Sequence, residues 1–132
     1  MLVQTELMRS SRPERVMVRA HTPFGRAVVV WRGDPREAAG RHVIEWTVDE
    51  DVRWGLKTQP APLAEPGVRE EGGHVVLRGR LELGEDSVAV LTMGGSQLLF
   101  QVRAPPPPGG IDGTWVEVTL AADKVELYPY AL

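Results

Sequence analysis

The residues best suited to chemistry in this chain are three histidines, two runs of carboxylates and four serines. His21, His42 and His74 are the histidines, and no two share the HxH, HxxxH or HExxH spacings that bring imidazoles onto one metal ion. His42 alternates with Ile44 and Trp46, the pattern of a histidine held on a strand face. Asp49, Glu50 and Asp51 form one acidic run and Glu70 and Glu71 another. Paired carboxylates can act as acid and base when one is desolvated. Both runs fall in expected turns, where carboxylates are solvated, and there is no DxDxDG calcium loop. Ser10, Ser11, Ser87 and Ser96 are the serines, and none sits in a GxSxG elbow. No GxGxxG or GxxxxGK[ST] phosphate cradle is written in the chain. Cysteine is absent, which removes thiolate nucleophiles, thiolate metal sites and disulfides. The sequence therefore assigns no catalytic, metal-binding or cofactor-binding residue, and the expectation is a protein that is not an enzyme and carries no cofactor.

Ligand recognition by stacking is the remaining chemistry. Of Trp31, Trp46, Trp54 and Trp115, the middle two alternate with apolar neighbours and read as core. Trp115 shares its strand face with Glu117 and Thr119 and is the best placed to meet a base or a sugar. With Arg78, Arg80 and Arg103 it defines the candidate ligand face of a module binding single-stranded nucleic acid or a small ligand. Charge weighs against nucleic acid. Residues 1–46 carry eight Arg against five acids, and residues 47–132 carry seven basic against thirteen acidic side chains, for a net charge of −3. An acidic second half disfavours non-specific binding to a polyanion.

The elements that would position these groups are mostly strands. At 132 residues the chain is long enough for one domain with one real core. Residues 1–13 lack a pattern and read as a flexible arm or an added edge strand. Residues 14–57 hold several strands, of which Phe24–Arg32 is the clearest. Between strands, Asp34-Pro35-Arg36-Glu37 has an N-cap, a proline at the first helical position and an acid in the first turn, which predicts one short helix near 35–39. Residues 58–73, with three Pro and three Gly, read as a loop. Five strands are expected between 74 and 132, near 75–83, 87–93, 97–103, 114–120 and 124–129. The run Pro105–Pro108 is a stiff spacer between two of them. No internal repeat aligns residue by residue. The initial segment has no apolar core of signal-peptide length, and the longest apolar run, Ala27–Trp31, is far too short to cross a membrane. The expected location is cytoplasmic.

Face by face, the C-terminal strands are informative. Leu77, Gly79, Leu81 and Leu83 share one face of a strand that a central glycine can bend. Gly94-Gly95 closes a hairpin between the next two strands. Taking Ala89, Leu91, Met93 and Leu99 as one apolar face leaves apolar residues on the other face too, so a lone barrel would expose one of them. That face is therefore the candidate packing or interface surface, covered by the first half of the chain or by a second copy in a homodimer.

The long glycine-bent strand, the hairpin, and the closing segments GTWVEV and VELYPY resemble an oligonucleotide/oligosaccharide-binding barrel. The resemblance covers about residues 74–130 and implies a fold only. PPPPGG stands where such barrels often place a helix. The expected fold class is all-β, a small antiparallel barrel or sandwich that is OB-like in the C-terminal half. The expected function is protein–protein contact by a non-catalytic accessory, inhibitory or partner-binding domain whose partner the sequence does not identify. Binding of single-stranded nucleic acid or a small ligand is the alternative.

Overall fold

The computed structural model describes residues 1–9, 14–103, 105 and 107–130. Twelve strands follow one another: β1 (Leu2–Leu7), β2 (Met17–Thr22), β3 (Gly25–Trp31), β4 (Gly40–Val48), β5 (Val52–Arg53), β6 (Thr58–Pro60), β7 (Gly67–Glu71), β8 (His74–Leu83), β9 (Val88–Met93), β10 (Ser96–Arg103), β11 (Trp115–Ala121) and β12 (Val125–Pro129). Helical structure among the described residues is limited to 3-10 turns at Pro35–Glu37 and Ala122–Lys124. The first is the helix expected near 35–39. The Asp34 carboxylate caps it by accepting the Arg36 amide at 2.9 Å. No helix among the described residues is long and apolar enough to cross a membrane.

Five strands close a barrel. β1 pairs antiparallel with β2, and β2 with β3. β3 runs parallel to β12, which returns antiparallel to β4, and β4 closes on β1. Trp46, Leu127 and Trp31 stand abreast on β4, β12 and β3 and fill one layer of the interior. Ala20 and Ala27 face each other on β2 and β3, small enough for the opposite wall to close down.

The remaining strands curl into a second ring. β8 pairs with β9, β9 with β10, and β10 runs parallel to β5. A single bridge from Trp54 to Thr58 links β5 to β6, which pairs with β11, and β11 returns to β8. Leu81, Leu91 and Leu98 stand abreast on β8, β9 and β10 and are buried. At the bend of β8, a Cβ on Gly79 would lie 2.6 Å from the Thr92 carbonyl oxygen, so only glycine lets β9 approach there.

Both rings have the same order: three strands in a meander, a fifth strand parallel to the third, and a fourth closing on the first. In each, the fifth strand comes from the other half of the chain. β12 completes the ring of β1–β4, while the interrupted strand β5–β6 completes the ring of β8–β11. The first strands of the two sets begin 72 residues apart, the second and third strands 71, and the fourth 75. This is an internal repeat of topology, although the two halves do not align residue by residue.

Several sequence expectations change place. The barrel with a continuous ladder is not the 74–130 segment but β1–β4 with β12. β12 does not pair with β11, because the turn at Ala122–Lys124 sends it to β4 and β3. Residues 2–7 are no arm: β1 has a neighbour on each edge and buries Val3 and Thr5 on alternate positions. Residues 58–73 are not a plain loop, since they hold β6 and β7. Of the proline run, Pro106 lies outside the described residues.

Candidate functional site: a cleft between β4 and β10

The two-residue loop Gly94-Gly95 sets the register of its hairpin. Ser96 stands opposite Met93, Leu98 opposite Leu91 and Phe100 opposite Ala89. Opposed residues share a face, so the interior of the second ring receives Ala89, Leu91 and Met93 together with Leu98 and Phe100. Leu99 does not belong with them. It stands opposite Val90 on the outward face and is 56% exposed. The sequence grouping of Leu99 with Ala89, Leu91 and Met93 placed it one residue out of register, and counting outward from the glycine pair would have corrected it. The outward face is half-open rather than covered: Val88, Val90 and Thr92 are partly exposed.

The candidate ligand face is split. Trp115 stands opposite Arg80 and is half-buried, and the row continues across the outward surface through Thr92 to Gln97. Arg78 is not available to a ligand. Its guanidinium donates to Glu117 at 3.1 Å and its side chain is 14% exposed. Arg69 donates to the same carboxylate at 2.8 and 3.3 Å. These donors, chiefly the Arg69 hydrogen bonds, hold the Glu117 carboxyl below the usual carboxylate range against a burial that pushes it up. Arg80 donates to the Gly113 carbonyl at 3.0 Å. Arg103 lies at the far end of β10, bound to Asp51 at 2.9 Å. The four residues thus do not converge on one point.

The acidic runs and the histidines are likewise dispersed. Glu70 pairs with Arg19, Glu71 with Arg69, and Glu50 with Lys57. His21 meets Glu6, His42 Nε2 donates to the Glu37 carbonyl, and His74 Nδ1 donates to the Gly72 carbonyl. No cluster of three metal-ligating side chains occurs among the described residues.

A cleft of about 400 Å³ lies between the outside of the barrel and the β9–β10 hairpin. Ile44, Glu45 and Trp46 of β4 form one wall, Gly94 to Gln97 and Leu99 the other, with Tyr130 at the rim. The hairpin tip is seated against the barrel: a Cβ on Gly94 would lie 2.6 Å from the Phe24 ring. Leu99, Tyr130, Leu2 and Val43 are exposed. Leu2 and Val43 form a cross-strand pair, and the Tyr130 amide donates to the Val43 carbonyl at 2.9 Å, so these three adjoin one another on the barrel wall. Glu45 is the one carboxylate lining the cleft among the described residues. Sequence reasoning missed this site because its walls come from strands half the chain apart.

No family model matches the chain, and neither the curated proteins nor the solved structures contain a significant match to it.

Proposed function

We propose that the protein acts by binding another protein at the cleft between β4 and β10. The observation that carries this reading is the placement of exposed Leu99 and Tyr130 on a concave site, with exposed Leu2 and Val43 beside Tyr130 on the barrel wall. Apolar side chains around a concavity mark a surface that gains by leaving water. The chemistry within reach supports binding rather than reaction, since the cleft offers one carboxylate, amide and hydroxyl side chains and glycine backbone. The five-strand barrel supports an OB-like assignment, and such barrels serve as binding platforms. The alternative, single-stranded nucleic acid or a small ligand on Arg78, Arg80, Arg103 and Trp115, loses support because Arg78 and Arg103 are tied to carboxylates.

The test is photocrosslinking in the protein's own cell. A photoreactive residue at position 99 or 130 should give a discrete protein adduct, and one at the equally exposed Leu63 should not. Adducts of equal yield at all three positions, or none at any, would overturn the proposal.

A further inference from the structure

The fifth strand of the second ring is broken. β12 runs unbroken through the first ring, but β5 ends at Arg53 and β6 begins at Thr58, with a single bridge from Trp54 to Thr58. Gly55, at φ 82°, turns the chain out of line there, and its amide donates to the Thr58 carbonyl at 2.9 Å. Thr58 stands opposite Val118, a fully buried residue of the ring interior, and is itself buried. Its hydroxyl has no hydrogen-bond partner among the described residues. Such a group gives up its hydrogen bonds to water and regains none, so its retention calls for a physical reason.

The break leaves a small cavity. It measures about 10 Å³, and Thr58, Val52, Trp54 and Phe100 line it. A space of that size takes one water-sized group. Leu83, Val102 and Pro107 also line it, and the same three side chains line a groove of about 460 Å³ at the surface. Sites for small molecules run from about 300 to 1,000 Å³. The groove lies beside the turn between β8 and β9, at the other end of β10 from the cleft. One charged residue lines it among the described residues, Arg103, which is bound to Asp51 at 2.9 Å. At its rim Ser87 holds φ 61°, next to Asp86 at 58°, a left-handed backbone that costs a residue with a Cβ stability. Strain of this kind collects at ligand sites.

We infer that groove and cavity form one small-molecule site, whose ligand is neutral, mainly apolar and carries one terminal hydroxyl. This goes beyond the partner-binding reading and does not depend on it. The apolar body lies in the groove against Leu83, Val102 and Pro107. The hydroxyl enters the cavity and exchanges a hydrogen bond with Thr58. The volume of the cavity fixes the buried end as a single oxygen rather than a ring. An acid or a phosphate is disfavoured, because it would compete with Asp51 for Arg103. A water in the cavity is the rival occupant. The other lining side chains able to meet it offer no oxygen, so it would find one side-chain partner where buried waters make about three hydrogen bonds.

The experiment titrates the nitrogen-labelled protein with para-propylphenol and with propylbenzene, which has the same carbon frame and no oxygen, and follows the amide chemical shifts. The phenol should shift the amides of Val52, Leu83 and Val102 and leave those of Gln97 and Leu99 in place. It should bind roughly tenfold or more tightly than propylbenzene, because a site built around a hydroxyl rejects the analogue that lacks it. Thr58→Val keeps the shape and removes the hydroxyl, and should bring the two probes within about threefold of each other. Thr58→Ser keeps the hydroxyl and should restore the preference. The comparison of the two probes on wild type does not depend on either variant folding. No shift with either probe, equal affinity of the two for wild type (the result expected if water holds the cavity), or a preference that survives in folded Thr58→Val would overturn the inference. So would shifts centred on Gln97 and Leu99, which would put the ligand in the cleft instead.

Discussion

Glu117→Gln should cost about 3 kcal/mol at neutral pH. The Glu117 side chain is 4% exposed and accepts from two guanidinium groups, with Arg69 and Arg78 both reaching Oε2. Glutamine keeps the shape and removes the charge. Arg69 is half-exposed and retains Glu71 at 3.1 Å, so it relaxes at little cost. Arg78 is largely buried and keeps only the Glu65 carbonyl at 2.8 Å and a distant Glu65 carboxylate at 3.9 Å. Removing one partner of a buried ion pair costs roughly 3–5 kcal/mol, and the escape open to Arg69 puts this case at the lower end. About 3 kcal/mol is on the order of a hundredfold in the folding equilibrium. Urea unfolding at pH 7 reads it as a lower midpoint at unchanged slope. The pH dependence has a fixed sign. The Glu117 carboxyl is held below its ordinary value of 4.5, so its contribution is complete above that pH and is lost as pH falls through the lower native value. The gap between wild type and Glu117→Gln should therefore narrow in acid. A variant within about 0.5 kcal/mol of wild type at pH 7, or a gap that widens in acid, would show that the triad is not buried as described.

Other outcomes follow from register and turns. Leu98→Ala should cost about 2–5 kcal/mol and Leu99→Ala under about 0.5 in the same unfolding assay, because only the first removes interior volume. Ser87→Gly should stabilise by about 1 kcal/mol in thermal unfolding, since Asp86 and Ser87 both hold positive φ, 58° and 61°, in the β8–β9 turn, a conformation that glycine adopts without strain. Gly25→Ala should cost about 3 kcal/mol by calorimetry, as its Cβ would fall 1.9 Å from the Val68 carbonyl oxygen in a backbone at φ 136°. Ending the chain after Ala121 removes β12 and the fully buried Val125 and Leu127, and the nitrogen chemical shifts of the β3 and β4 amides should then collapse toward unfolded values.

The strands near 75–83, 87–93 and 97–103 were legible because period-two patterns and their breakers are local. So was the Asp34 cap, and so was the close approach at Gly79. What lay out of reach was pairing between distant segments. Nothing in KVELYP announces that β12 leaves β11 for β4 and β3, since its Val125 and Leu127 would suit any apolar interior. TQP is too short to read as a strand and becomes one only because Gln59 meets Glu117 across the β6–β11 ladder. The register of β10 stands between these cases. Two adjacent leucines, Leu98 and Leu99, make either face plausible by hydropathy, and only the loop length decides between them. The cleft was out of reach for both reasons, because one of its walls depends on that register and the other on β4 joining β1 and β12.

The exchange of fifth strands couples the two rings. A ring that draws its fifth strand from its own end of the chain can close before the other half is made. Here neither can: β1–β4 wait for β12, and β8–β11 wait for β5–β6. The two rings therefore form as one cooperative unit, and β7 lies on that joint, bonded to β8 along five positions and to β3 at Gly25. On the far side β10 packs directly on β4 of the barrel, and Phe24 meets the Gly94 turn. A partner seated in the cleft would touch both hairpin and barrel, so binding and the stability of the two-ring unit are linked. A ligand at free concentration L that binds only the folded unit stabilises it by RT ln(1 + L/Kd), so its unfolding temperature rises with the logarithm of ligand concentration above Kd. The melting temperature should accordingly rise with the concentration of a partner identified by crosslinking at position 99, and Leu99→Glu should need a higher concentration for the same rise.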